Sequence, residues 1–397
     1  MVRKCISFFI VIGILCTLIS CAMNQSASMY KNKQTKQDLQ GNDRVLKNLC
    51  KGMEAFHNNR NELAKQFFTN ATLDIASIWD DTPQARKARS MWYEERYKPF
   101  KGEPYERMMS FYYLGLLYLK EKDFGNAQAC FRQSVMQDAF AEEEQYRADV
   151  ALSLFLQGWA LQAQGSDGQA NNAYKLVKEL RPDFQLPNSN IQPNVLLIVE
   201  TGKSPRKIAD GIGAYVLRFF RGKNFIDKKA KYSIDGSKYH PMLPIEDIYW
   251  QAKTRGSRAV DKIVEGKVNF QESSSDLGSG FVEMSKQYLY NPAYKGTEMQ
   301  SVGYAMGAIG VVALLLSANA KPAADVRYWD NLPDLVHLEM LNLEPGNHSI
   351  EIKFQDENNN FVNIPSKRIQ VAVPTQQNGP ILLWISAHDR ETSRYSM

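Results

Sequence analysis

Cysteine and histidine are scarce, five of each in 397 residues. Three of the cysteines, Cys5, Cys16 and Cys21, fall in the first stretch of chain. The other two, Cys50 and Cys130, sit on helical patterns beside apolar neighbours, which argues against a disulfide framework and predicts buried free thiols. His57, His240, His337, His348 and His388 are scattered with no pair at metal-ligand spacing, and no motif asks for a metal or a cofactor. A phosphate loop is missing as well: Gly202-Lys203-Ser204 has the right ending, but Leu197 stands where the first glycine belongs and Pro205 follows. The run DENNN at 356–360 resembles a calcium loop only in composition, because Phe361 replaces the turn glycine and Lys367 the bidentate Glu, so it predicts a hairpin loop. There is no Gly-x-Ser-x-Gly elbow and no Cys/His arrangement for nucleophilic catalysis. Charge of one sign is lacking too. A formal +5 spread over this length, without a basic stripe interleaved with aromatics, argues against nucleic acid as a partner.

The start of the chain carries more information. Arg3 and Lys4 precede an apolar run from Ile6 to Ile19, which ends in Leu18-Ile19-Ser20-Cys21. This reads as an export signal over 1–20. The small Ser20 before a cysteine resembles the lipobox of bacterial lipoproteins, which implies cleavage before Cys21 and lipidation of that residue, palmitate included. Multiple acyl chains on one cysteine make a stable membrane anchor. Ala22, where an inner-membrane retention signal would show Asp, implies the outer membrane, facing the periplasm. Residues 21–44 have almost nothing to bury and are expected to be a flexible tether. The remaining chain, about 350 residues, is long enough for two domains.

Residues 45–190 carry a repeat. In FYYLGLLYLKEKDFGNAQACFRQSV, Leu114, Gly115 and Tyr118 share one helix, with Ala127 and Phe131 at twelve and sixteen residues beyond the glycine. The same offsets run from Gly158 to Ala170 and Tyr174, with Pro182 ending the second helix, and from Gly52 to Ala64 and Phe68. This resembles the tetratricopeptide (TPR) signature. A small residue lets paired helices approach closely and the aromatic fills the space between them. The stack is interrupted after its first unit by an aromatic, charged insertion containing Trp79, Trp92 and Pro99. In such repeats the first helix of each pair lines a concave groove, which places Met53, Phe56, Tyr112, Leu116, Phe155 and Trp159 there. An apolar peptide of an envelope protein partner would fit such a surface. The other occupant to consider is the chain itself, through the insertion or the second half.

From 191 to 390 the period changes. NVLLIVETG, AYVLRFF, KYSIDG, VHLEMLNL, HSIEIKF, KRIQVAV and ILLWIS read as strands, with Pro345-Gly346-Asn347 as a hairpin signal. Residues 245–320 form a helical insertion between two strand clusters that must pair across it. The expected fold is α+β: a TPR-like helical repeat domain, then a mixed, mainly antiparallel β-sandwich-like domain. AADVRYWDNLPD reads as a structured turn that plugs the sheet.

The lipobox, GEPYERMMSFYYLGLLYL, TGKSPRK, QAKTRGSRAVDKI, and ADVRYWDNLP followed by LEPGNHSIEIKF together resemble an uncharacterised family of bacterial tetratricopeptide lipoproteins. That resemblance implies fold and location and transfers no catalytic residue. The reading it supports is a lipid-anchored envelope scaffold or adaptor that binds protein through the TPR groove without catalysis. Two alternatives stand beside it. SVGYAMGAIGVVALLLSANA at 301–320 is long enough to enter a membrane, as in a channel-associated component. The other alternative is an enzyme of envelope polymers. Because the flanking strands are expected to share a sheet, a helix buried all round, or an amphitropic hairpin, is the preferred reading of 301–320.

Overall fold

The computed structural model describes residues 42–77, 99–138, 149–186, 193–210, 216–255, 325–376 and 379–396. The chain divides into two compact units, 1–44 and 45–397, and both hydrophobic cores lie in the second. Cys21, the tether up to residue 41, the insertion at 78–98 and the segment 301–320 lie outside the described residues.

Six helices come first: α1 (Arg44–His57), α2 (Asn61–Ser77), α3 (Pro104–Lys120), α4 (Phe124–Asp138), α5 (Ala151–Ala163) and α6 (Asp167–Leu180). They pack as three pairs that repeat one another in detail. A Cβ on Gly52, Gly115 or Gly158 would meet the ring of Phe68, Phe131 or Tyr174 within 2.8 Å, so each pair is held at a separation only glycine permits. Ala64, Ala127 and Ala170 are buried at the facing positions. The turns match as well. Seven residues after each glycine, Asn59, Lys122 and Gly165 adopt positive φ of 56°, 61° and 76°. The next amide, of Arg60, Asp123 or Ser166, donates back to the carbonyl of Ala55, Tyr118 or Leu161 at 2.8–2.9 Å. Each first helix is thereby closed by a left-handed residue, and the chain is returned along its partner. Leu114 is buried and Tyr118 half-buried against the same core, with Lys65 over the Tyr118 ring. Pro182 follows the end of α6, as expected from a residue that cannot continue a helix.

The second half forms β1 (Val195–Thr201), β2 (Arg206–Asp210), β3 (Val216–Phe220), β4 (Lys229–Ile234), β5 (His240–Met242), β6 (Pro244–Asp247), α7 (Ile248–Arg255), β7 (Leu335–Leu341), β8 (Gly346–Gln355), β9 (Lys367–Val373) and β10 (Ile381–Ser386). One four-stranded sheet has the order β10-β1-β7-β6 and another β5-β4-β8-β9, with β2 and β3 a separate pair. Pairing is antiparallel throughout except β1 with β10, which is parallel. Strands on either side of the insertion do pair, β1 with β7 and β4 with β8; of the insertion itself only 245–255 is described, and its first residues form β6, a strand paired with β7, before α7 begins. The fold is therefore mixed α+β, with seven helices among the described residues.

The two hydrophobic cores do not divide at residue 190. Leu196 and Ile198 of β1 join the core built by the helices, whereas Val195, Leu197 and Val199 join the core between the two four-stranded sheets. β1 is apolar at nearly every position because both of its faces are covered. Nor does Pro345-Gly346-Asn347 close a β7–β8 hairpin. β7 and β8 belong to different sheets, and the turn carries the chain from one to the other.

Candidate functional site

The six predicted groove residues stand on the first helices of the three pairs, as expected from the repeat, yet all six are buried. Met53, Phe56, Tyr112, Leu116 and Phe155 have no exposed surface and Trp159 only 4%. Of the two occupants the sequence leaves open, a partner peptide and the chain itself, the burial of these positions favours the chain itself. The physical reason is that an aromatic concave face has large apolar area to hide, and the chain itself covers it.

Three stretches pack on the helices. From β10, the Trp384 ring meets Phe56 edge-on, with centroids 4.8 Å apart. The segment leading into β7 inserts Trp329, fully buried, 5.8 Å from Tyr113 and 5.9 Å from Phe68. After α6, Phe184 lies edge-on to Phe155 at 5.7 Å. Trp329 thus packs into the helices, whereas the sequence predicts a turn that plugs the sheet. Its indole N–H donates to Asn331 Oδ1 at 2.6 Å, and Asn331 Nδ2 reaches the carbonyls of Cys50 and Arg390.

Under this aromatic layer lies a buried polar seam. Pro104 starts α3 at a position where a missing N–H costs nothing, and the preceding Glu103 amide donates to Glu106 at 2.6 Å. Lys207, on β2, places its ammonium 2.9 Å from Glu103 and 3.4 Å from Glu106. Burial alone would depress Lys207, but the two carboxylates hold it charged, above the usual lysine range. Burial pushes the Glu106 carboxyl up, opposed by Lys207 and by the amides of Glu103 and Trp329. Ser204 donates to the Trp329 carbonyl at 2.6 Å. The stretches GEPYER, TGKSPRK and ADVRYWDNLP, distant in sequence, therefore converge on one another.

A second buried carboxylate, Glu200 of β1, accepts the Tyr113 hydroxyl at 2.7 Å and that of Tyr112 at 3.4 Å. Burial raises its carboxyl, and Arg390, 4.0 Å away, pulls it back. Arg390 is itself buried and donates to the carbonyls of Leu332 and Gly202.

The look-alike motifs also resolve into packing. Gly202 has φ of 68°, a Cβ there would strike Asp334 and Phe225, and its amide donates to Asp227 at 2.7 Å. In DENNN, Asp356 Oδ1 accepts the amides of Asn358 and Asn360, which makes the stretch the side-chain-capped loop between β8 and β9. Cys50 and Cys130 are buried free thiols.

No protein-family model, curated protein or solved structure matches the chain. Among the described residues no helix is long and apolar enough to cross a membrane. Glu106, Glu200, Lys207 and Arg390 were not singled out from sequence. Glu106 lies in GEPYER and Lys207 in TGKSPRK, but no local pattern marks Glu200 or Arg390.

Proposed function

We propose that the chain is a lipid-anchored scaffold of a bacterial envelope, held through Cys21 in the outer membrane and facing the periplasm. In this reading the three helix pairs are a TPR-like stack and the two four-stranded sheets a β-sandwich-like partner domain. The recurrence of glycine, alanine, aromatic and left-handed turn residue at common offsets supports the first assignment. The shared core of the two sheets supports the second.

The observation that carries the proposal is the burial of all six groove residues within the chain itself, with Trp384 of β10 packed on Phe56. The stack grips its ligand in cis, and the result is one body at the end of a tether. An envelope protein partner then binds outside the groove, or enters it only by displacing Trp384 and the rest of that cover. The role is binding and not catalysis, since the buried carboxylates Glu106 and Glu200 are engaged in bracing the frame. A single membrane crossing within 256–324 would put hydrogen-bonded neighbours β6 and β7 in different compartments, which favours the scaffold over a spanning component.

Metabolic palmitate labelling with membrane fractionation tests the anchor: Cys21→Ser should lose label and pellet association together. Pull-down from cross-linked cells tests the adaptor role. Recovery of no envelope protein above the Cys21→Ser control would contradict it.

A further inference from the structure

His57 ends α1, and its imidazole faces two carboxylates from the far end of the chain. Nε2 lies 4.0 Å from Asp389 Oδ1 and 4.0 Å from Glu391 Oε1. All three ligand atoms fall within 4.8 Å of one another. These distances exceed a hydrogen bond, so the groups converge on a common point without bonding each other.

The frame around them is built. Arg390, between the two acids, turns inward and ties the segment to the Leu332 and Gly202 carbonyls. The Asp389 carboxylate is oriented by the Glu391 amide at 2.7 Å and the Thr392 hydroxyl at 3.4 Å, the kind of second contact that fixes a metal-binding carboxylate. Trp384 stands edge-on to the His57 ring at 5.9 Å. The last carbonyls of α1 add partial negative charge at the same place.

We propose that His57, Asp389 and Glu391 bind a divalent first-row transition ion of the zinc class, clamping the end of α1 to the segment after β10. One imidazole nitrogen and two carboxylate oxygens suit such an ion at bond lengths of about 2.0–2.2 Å, with water completing the shell. Tetrahedral ligand atoms at those lengths are about 3.4 Å apart, and rotation of the exposed Asp389 and Glu391 side chains closes the difference. The site pins the same C-terminal stretch that covers the groove. It stands whether or not the chain is an anchored adaptor.

The test uses the full chain in detergent, stripped with a chelator and titrated with zinc chloride by calorimetry and thermal unfolding. One zinc per chain is expected, with the unfolding midpoint raised by about 4 °C at ~100-fold excess over the dissociation constant. Asp389→Asn/Glu391→Gln, at exposed positions, should fold normally and lose at least tenfold in affinity, and His57→Gln should behave alike. Failure of the intact chain to bind zinc, or equal binding by the folded double variant, would overturn the proposal.

Discussion

The Glu106 carboxylate accepts the backbone N–H of Trp329 at 2.6 Å, across 223 residues of chain. Through this bond the start of α3 fixes the segment that packs into the helices, and Lys207 neutralises the acid that makes it. Removing one member of a buried ion cluster leaves the others uncompensated. Lys207→Met should destabilise the fold by about 3–5 kcal/mol. Glu103→Gln/Glu106→Gln/Lys207→Met should recover much of that loss. Urea unfolding of the variants measures both, and a Lys207→Met cost below about 1 kcal/mol would show that the cluster is not a buried brace.

Glycine at the helix crossings is a packing requirement. Gly115→Ala puts a methyl 2.5 Å from Phe131 and should cost about 1–3 kcal/mol. Gly168→Ala, in α6 with nothing within 4 Å, is the control and should be neutral or slightly stabilising. Thermal unfolding of the two proteins decides whether close approach or helix propensity governs these sites.

Glu246, at the β6–α7 junction, gives the fold a pH signature. It is buried, accepts from Gln251 at 2.8 Å and lies 3.8 Å from Arg181, and burial raises it from 4.5 to about 7. A carboxyl raised on folding contributes stability that is fully present below pH 4.5 and is lost as pH rises through about 7. The wild type should therefore gain on Glu246→Gln by on the order of 2–3 kcal/mol between pH ~8 and pH ~5. Buried His337, lowered to about 4, acts with the opposite sign in both proteins and cancels in the difference. A pH-independent difference would show that Glu246 is not buried as a titrating acid.

Cys50 and Cys130 should resist thiol reagents until the chain unfolds. Both thiols are buried, and burial pushes Cys130 up to about 12 and Cys50 higher still. Labelling rates should follow denaturant concentration. Fast labelling of the native protein at either position would contradict this packing.

What was legible in the sequence was local. Glycine, alanine and aromatic offsets placed the helix pairs, and short β-rich runs placed seven strands, because each pattern is decided within a few residues of chain. β2, β5 and β6 were missed, being short or interrupted by proline. The six groove positions were legible as an apolar face and what covers them was not, since a local pattern marks such a face without saying what lies on it. The cover includes Trp384, set by pairings such as β1 with β10 that no spacing encodes. Lys207 and Glu106 are 101 residues apart, so their pairing was equally invisible. The same holds for His57 with Asp389 and Glu391, where Asp-x-Glu was the one local hint.

The contact between Phe56 of the helical stack and Trp384 of β10 tests most directly whether the chain fills its own groove. Phe56→Leu, Trp384→Leu and the double variant, followed by urea unfolding, form a double-mutant cycle. Edge-on rings in contact predict a coupling of about 0.5–1.5 kcal/mol. Additive losses, with coupling near zero, would contradict a groove closed in cis.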